Sequence, residues 1–302
     1  MNALQLIQTY GTPAQQETYA ADARAGKLFG VWNTEASDGV RILPVGGGRY
    51  RLEGSKTFTS GAGYVARALV PGALETPGEQ PGWQMCVAPM DEAAAAIDPS
   101  WWRPLGMRAS ASYRVDFTGV ELDADALIGA PGDYYRQPLF SGGAIRFAAV
   151  QLGAAAALFD LFRAYLRELG RTDDPYQRQR AGEVAILVEG GELWLRGAAS
   201  VVEDHADAFD MSAPDPTRGT DTVVAYVNMA RTAIEGLCLD VMRLVERSVG
   251  ARGLLRPYPF ERIHRDLTLY LRQPAPDAAL AGAGRFVLDR PARADALWRR
   301  EP

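Results

Sequence analysis

The chain has 302 residues, 47% hydrophobic and 23% charged, the composition of a globular protein long enough for two domains. Its net charge of −5 offers no electrostatic grip on nucleic acid or an anionic membrane. Cys86 and Cys238 lie far apart without the spacing of a zinc site or a redox pair, and read as buried thiols in a reducing compartment.

The N-terminus lacks a basic stretch followed by an apolar one, and no apolar run reaches about 18 residues. The expectation is therefore a cytoplasmic protein with no membrane span. Lysine occurs only at positions 27 and 56, so arginine supplies nearly all the basic charge. This reads as coding bias rather than phosphate recognition.

In chain order, residues 1–28 predict helix. Leu4, Leu6, Ile7 and Tyr10 are apolar, Gly11 stops the run, and Thr12 caps a second helix with Pro13 at its first position. Residues 29–132 predict strands, because short β-favouring runs recur between turn signals: RYRLEG, SKTFTSG, RALVPG, WQMCVAPM and YRVDFTGVEL. Tyr50 and Leu52 alternate with Arg49, Arg51 and Glu53, as in a strand with one wet face, and glycines 46–48 read as a hairpin turn. The expected fold is an antiparallel β-barrel.

Residues 133–302 predict an up-down helical bundle, making the whole α+β and multidomain. Ile145, Ala148, Ala149, Leu152, Ala156 and Phe159 recur at helical spacing within 143–169. Further helices are expected over 176–209, 217–249, 257–272 and 274–288, with Pro214, Pro216, Pro257, Pro274 and Pro276 at the breaks.

Three segments carry the chemistry. NTEASD at 33–38 can present hydroxyls and backbone N–H groups to an anion or the edge of a heterocycle; the plain alternative is a polar turn. SKTFTSG offers a flat aromatic wall beside hydroxyls, or else a strand packed on a core. VGARGLL at 249–255 is a small-residue turn where Gly250 and Gly253 permit close backbone approach, or a helix C-cap. His205 reads as a solvated helix end and His264 as a lone buried contact, so no metal site is expected.

In order and spacing these segments, with LGMRASASYRVDFTGVELDADALIG at 105–129, resemble the flavin-binding signatures of the acyl-CoA dehydrogenase superfamily. The resemblance implies FAD. It places Thr34 on the flavin ring edge and Ser37 on the pyrophosphate, with Trp32 and Asn33 leading into Thr34. Phe58 takes the aromatic position beside the flavin, and Ser60 takes that of the residue bonding its N5 edge. Gly250 falls in the turn near phosphate or adenine, and Arg167 in RELG matches an arginine that reaches the partner subunit's FAD. Glu261, Arg262, Arg265 and Asp266 match a helix held by internal ion pairs. The implied partners are a small-molecule substrate, such as an acyl-CoA, and further copies of the chain in a dimer or tetramer. Trp194, Leu195 and Tyr226 are the candidate interface residues.

Departures from the pattern matter as much. TEASD is three residues shorter than the family's T-E-P-G-A-G-S-D, so its loop must close differently. Dehydrogenation of a thioester needs a carboxylate to remove the α-proton. The family's two positions for that base fall on Pro274 and Ile145, with Asp277 the nearest acid to the first. The catalytic residue is thus unknown. The GAR turn resembles the flavin monooxygenase branch, whose oxygen chemistry needs no such base. The family's front helical domain is matched only at its end, by LQLIQTYGTPAQQ. The first expectation is an acyl-CoA dehydrogenase-like flavin oxidoreductase. The alternatives are a flavin monooxygenase and a non-catalytic assembly partner that keeps the fold.

Overall fold

A computed structural model describes residues 2–76, 78, 80–209 and 217–299. Two compact units emerge: one holds the residues up to Pro104 with Arg108–Arg136, the other Leu105–Met107 with the chain from Gln137 onward. Pro214 and Pro216, expected to break helices, lie outside the described residues.

The first unit begins with two helices, α1 (Asn2–Tyr10) and α2 (Pro13–Arg24). Thr12 and Gln15 form a reciprocal capping box with Pro13 at the start of α2, so the predicted restart is built as read. Ten strands follow among the described residues: β1 (Phe29–Val31), β2 (Arg41–Gly46), β3 (Arg49–Glu53), β4 (Ser55–Thr59), β5 (Arg67–Leu74), β6 (Gly82–Pro89), β7 (Ala96–Asp98), β8 (Tyr113–Asp116), β9 (Glu121–Asp123) and β10 (Leu127–Ile128).

They form two sheets. The larger runs β10-β6-β5-β2-β3-β9 with β1 also on β5; the smaller runs β4-β8-β7. The expected wholly antiparallel barrel is therefore corrected to a mixed arrangement. β1 and β2 both pair in parallel with β5, at residues 67–69 and 73–74 respectively, while β6 runs antiparallel along the other edge. Residues 32–40 leave the edge of β5 between those two pairings, and this excursion positions the candidate site.

Strand alternation explains the layers. Ala68, Val70, Cys86 and Ala88 share one core with Trp32, Val115 and Phe117, and Leu69, Met85 and Val87 point the opposite way, sharing theirs with Ala3 and Ile7 of α1. The nearly buried Arg67 of β5 pairs with Asp22 of α2 at 2.6 Å, fixing that helix. On β3, Leu52 is buried and Arg49 and Arg51 are exposed in ion pairs, as the alternation predicts.

In the second unit, α3 (Leu139–Gly142) precedes α4 (Ala144–Glu168), α5 (Pro175–Asp204), α6 (Thr220–Gly253), α7 (Phe260–Tyr270) and α8 (Pro276–Asp289). The core stripe of α4 is Ala148, Leu152, Ala155, Leu158 and Phe162, shifted from the expected set in that Ala149 is exposed. On α6, Ile234, Cys238, Val241 and Val245 repeat at three- and four-residue steps into the same core. Leu139–Glu168 is, among the described residues, the helical stretch long and apolar enough to cross a membrane by length and composition. Both cysteines are free and buried, and burial pushes each thiol up to about 12.

Candidate flavin-edge site

The site is built where the 32–40 excursion meets β4. Trp32 is buried, its backbone N–H donating to Leu69 O (2.9 Å) and its indole Nε1–H to Ser60 O (3.1 Å). Thr57 N–H donates to Thr34 O (2.9 Å) and Thr57 Oγ1 to Glu35 O (3.2 Å). Ala36 N–H reaches Ser55 O (3.3 Å), and Ser55 N–H returns to Asp38 O (2.9 Å). Two chain segments about 20 residues apart are thus joined almost residue by residue.

At the centre stands Lys56, fully buried. Its Nζ donates to Glu35 Oε1 and to Asn33 O (3.2 Å), and lies 4.8 Å from the Trp83 ring centroid. Burial pushes its pKa down, and the Glu35 carboxylate opposes that. Glu35 Oε2 accepts from Val40 N–H (2.7 Å), which closes the short loop on itself. A Cβ on Gly39 would collide with that same oxygen, so glycine here leaves the carboxylate where it is without displacement. This is how the three-residue-shorter loop closes. Ser37 is exposed in the turn, and none of the hydrogen bonds that hold the loop involves its side chain.

Beyond Lys56 the pairing with β8 is irregular between Lys56 and Thr59. Phe58 occupies that break with φ 52°, a left-handed conformation that a bulky residue rarely holds. The residue is 51% exposed, and its ring meets Trp101 and Trp102 edge-on at 5.1 and 5.8 Å between centroids. Ser60, two residues on, is exposed, as is Thr34, whose carbonyl accepts from Thr57 N–H, and Ser60 Oγ lies 2.7 Å from Ser112 Oγ. Asn33 Nδ2 donates to the Tyr135 hydroxyl (3.3 Å), while its Oδ1 is buried with no hydrogen-bond partner among the described residues.

The structure thus brings Trp32, Asn33, Thr34, Phe58 and Ser60 onto two adjoining segments, with Ser37 at the outer turn. Arg167 and Gly250 belong to the helical unit. Arg167 is exposed in the last turn of α4. Gly250 interrupts α6 with φ 61° and ψ −171°, a conformation open essentially to glycine alone. Glu261 and Arg265 pair within α7, Asp266 accepts the Met107 N–H (2.6 Å), and Arg262 lies 3.7 Å from Asp266, the internal bracing that was expected. His264 is nearly buried, with Nε2 2.7 Å from Glu246 Oε1 at an angle that makes no hydrogen bond; burial lowers its pKa and Glu246 opposes that. His205 is not solvated as predicted: it is 4% exposed, with Nδ1 2.9 Å from Val201 O.

The expected interface residues are engaged within the chain: Trp194 and Leu195 pack on the bundle core, and Trp194 meets Tyr226 at 5.9 Å. Pro274 O accepts from Arg231 (2.9 Å), and Asp277 is exposed in the first turn of α8. A cleft of about 420 Å³ lies in the helical unit beside His205, Arg218, Arg285 and Arg290, and none of the eight predicted site residues lines it.

Sequence reasoning missed Lys56, Glu35 and Ser112. One signal was present for the first: Lys56 is one of two lysines in a chain that otherwise uses arginine.

Comparison with known proteins finds similar folds and sequences. The family described as acyl-CoA dehydrogenase, C-terminal domain, matches residues 145–271. The chain is 28% identical over 268 residues to dibenzothiophene monooxygenase of Rhodococcus erythropolis, covering 83% of this chain and 64% of that protein. It is 23% identical over 273 residues to the short-chain specific acyl-CoA dehydrogenase of Clostridium acetobutylicum, covering 86% and 68%. Among solved structures, TdsC from Paenibacillus sp. A11-2 in complex with FMN and indole superposes with a TM-score of 0.83 at 22% identity, covering 98% of this chain and 79% of that one. Methanesulfinate monooxygenase MsuC from Pseudomonas fluorescens gives 0.81 at 19%, with the same coverage. The chain is thus similar to members of the acyl-CoA dehydrogenase superfamily, dehydrogenases and monooxygenases among them. It spans just under two thirds of the length of the dibenzothiophene monooxygenase it matches.

Proposed function

We propose that this chain is a flavin-dependent monooxygenase whose isoalloxazine ring sits against Phe58 and the Thr34–Ser60 edge. One observation carries the reading: Phe58 is held half-exposed in a left-handed conformation, between a hydroxyl at Ser60 and the clamped loop bearing Thr34. Strain of this kind persists where the surroundings over-determine it, and is concentrated at functional sites. The residues fit a flat heteroaromatic group, with an aromatic wall, two exposed hydroxyls, and the orphaned Asn33 Oδ1 one residue ahead of Thr34.

Bound and reduced, the flavin supplies electrons for oxygen insertion. This chain's residues bind and orient it: Thr34 and Ser60 at its edge, Phe58 beside it, Trp32 and Lys56 holding those segments in place. FMN is favoured over the FAD first expected, because the shortened loop leaves Ser37 exposed and outside its bonding, and because the TdsC structure holds FMN. A flat, apolar small molecule suits the Phe58–Trp101–Trp102 cluster, of which Phe58 and Trp101 are exposed.

Acyl-CoA dehydrogenation is the second reading, supported by the match over 145–271. Pro274 and Ile145 at the two base positions weigh against it. The test adds FMN, a flavin-reducing system, oxygen and dibenzothiophene or indole, and looks for an oxygenated product. Oxygen-dependent product is expected, with slow or no anaerobic bleaching by acyl-CoAs. Bleaching at about 1 s⁻¹ or faster would overturn the choice between the two.

A further inference from the structure

Ser60, Ser112 and Ser110 form an unbroken row of hydroxyls. Ser60 Oγ and Ser112 Oγ are 2.7 Å apart, and so are Ser112 Oγ and Ser110 Oγ. Ser112, in the middle, is 3% exposed. The flanking backbone locks the row: Thr59 Oγ1 donates to Tyr113 O (2.8 Å), Gly61 N–H to Ser110 O (2.8 Å) and Ala62 N–H to Ala111 O (3.1 Å). Ala111, at φ 47°, turns the chain so that the hydroxyls on either side of it meet.

A hydroxyl carries one proton and two lone pairs. In a row of three, the middle hydroxyl donates to one neighbour and accepts from the other. Rotation about the C–O bonds reverses the row with no heavy atom moving, and Ser60 then offers outward either its proton or a lone pair. The N5 position of a flavin accepts a hydrogen bond when the ring is oxidised and donates one, as N–H, when it is reduced.

We infer that Ser112 is a positioning residue: it holds Ser60 Oγ in place and lets that one atom serve both flavin forms. This rests on the flavin reading above.

The test measures the affinity of the full chain for oxidised FMN and, anaerobically, for reduced FMN. The variants are Ser60→Ala, Ser112→Ala, the double variant, and Ser112→Thr, which keeps the hydroxyl. Each alanine variant is expected to weaken both forms about five-fold, the equivalent of one hydrogen bond. The double variant should bind no more weakly than Ser60→Ala alone, and Ser112→Thr within about two-fold of wild type. Ser112→Cys keeps the volume with a weak donor and should lose as much as Ser112→Ala, which preserves the test if the alanine variant does not fold. Wild-type affinity in Ser112→Ala or Ser112→Cys, or losses that multiply in the double variant, would overturn the inference and leave flavin binding standing. No binding by the wild type would remove both.

Discussion

The Glu35 carboxylate is shared between two partners, the buried ammonium of Lys56 and the Val40 N–H at 2.7 Å. One side chain therefore neutralises a charge inside the sheet unit and closes the loop that carries Thr34. The partners are unequal, because Lys56 is fully buried whereas the Glu35 side chain is 32% exposed. Removing one member of a buried pair strands the other, at about 3–5 kcal/mol when the survivor is out of water. Glu35→Ala should destabilise the protein by about that amount. Lys56→Met, which leaves a carboxylate that still touches solvent, should cost less. Urea denaturation of both variants checks the order, and equal losses would show that burial does not set it.

Phe58 offers a second check. An ordinary strand position loses stability when alanine is replaced by glycine. At φ 52° the order should reverse, with Phe58→Gly more stable than Phe58→Ala by about 1 kcal/mol. Both variants should bind flavin poorly, since both lack the ring. Thermal melts paired with flavin titration separate the two effects.

Much of the sheet unit was legible in the sequence. The Thr12–Pro13 restart, the hairpin at 46–48 and the alternation on β3 are local signals, and the structure builds all three. The parallel pairing of β1 and β2 with β5 was not legible, because no local pattern reveals which distant strand takes an edge. The Glu35–Lys56 pair was hidden for the same reason: TEASD reads as a solvated turn until the facing strand is placed. His205 went astray because EDHAD is polar in sequence, yet its imidazole is buried and Gly219 packs against the ring.

Gly250 should tolerate no side chain. Its φ of 61° and ψ of −171° lie where a Cβ is strained whatever space surrounds it. Gly250→Ala is expected to cost about 1–3 kcal/mol. An unchanged denaturation midpoint would mean that the break in α6 is not held in solution.

His264 gives a pH dependence with a definite sign. Its pKa is lowered in the folded state by burial, against an unfolded value of about 6.5. Well above pH 6.5 the ring is neutral in both states and contributes no slope. As pH falls below 6.5 the unfolded state binds a proton that the folded state resists, so stability drops until the folded pKa is reached. Stability measured between pH 7 and 5 should fall, and His264→Gln should flatten that fall. An identical slope in the variant would assign it elsewhere.

Ile186 and Leu193, seven residues apart on one face of α5, are 74% and 57% exposed. Self-association through that face is expected, and Ile186→Asp with Leu193→Asp should shift the particle toward one chain by light scattering. A wild-type chain already at 32.7 kDa would contradict it.

The most direct measurement is the visible spectrum and fluorescence of the purified chain titrated with FMN and with FAD, alongside Thr34→Ala and Ser60→Ala. Saturable binding is expected at tens of micromolar protein or below, tighter for FMN, with each substitution weakening it about five-fold. Flavin that dialyses freely from the wild-type chain, or binds equally well without both hydroxyls, would contradict it.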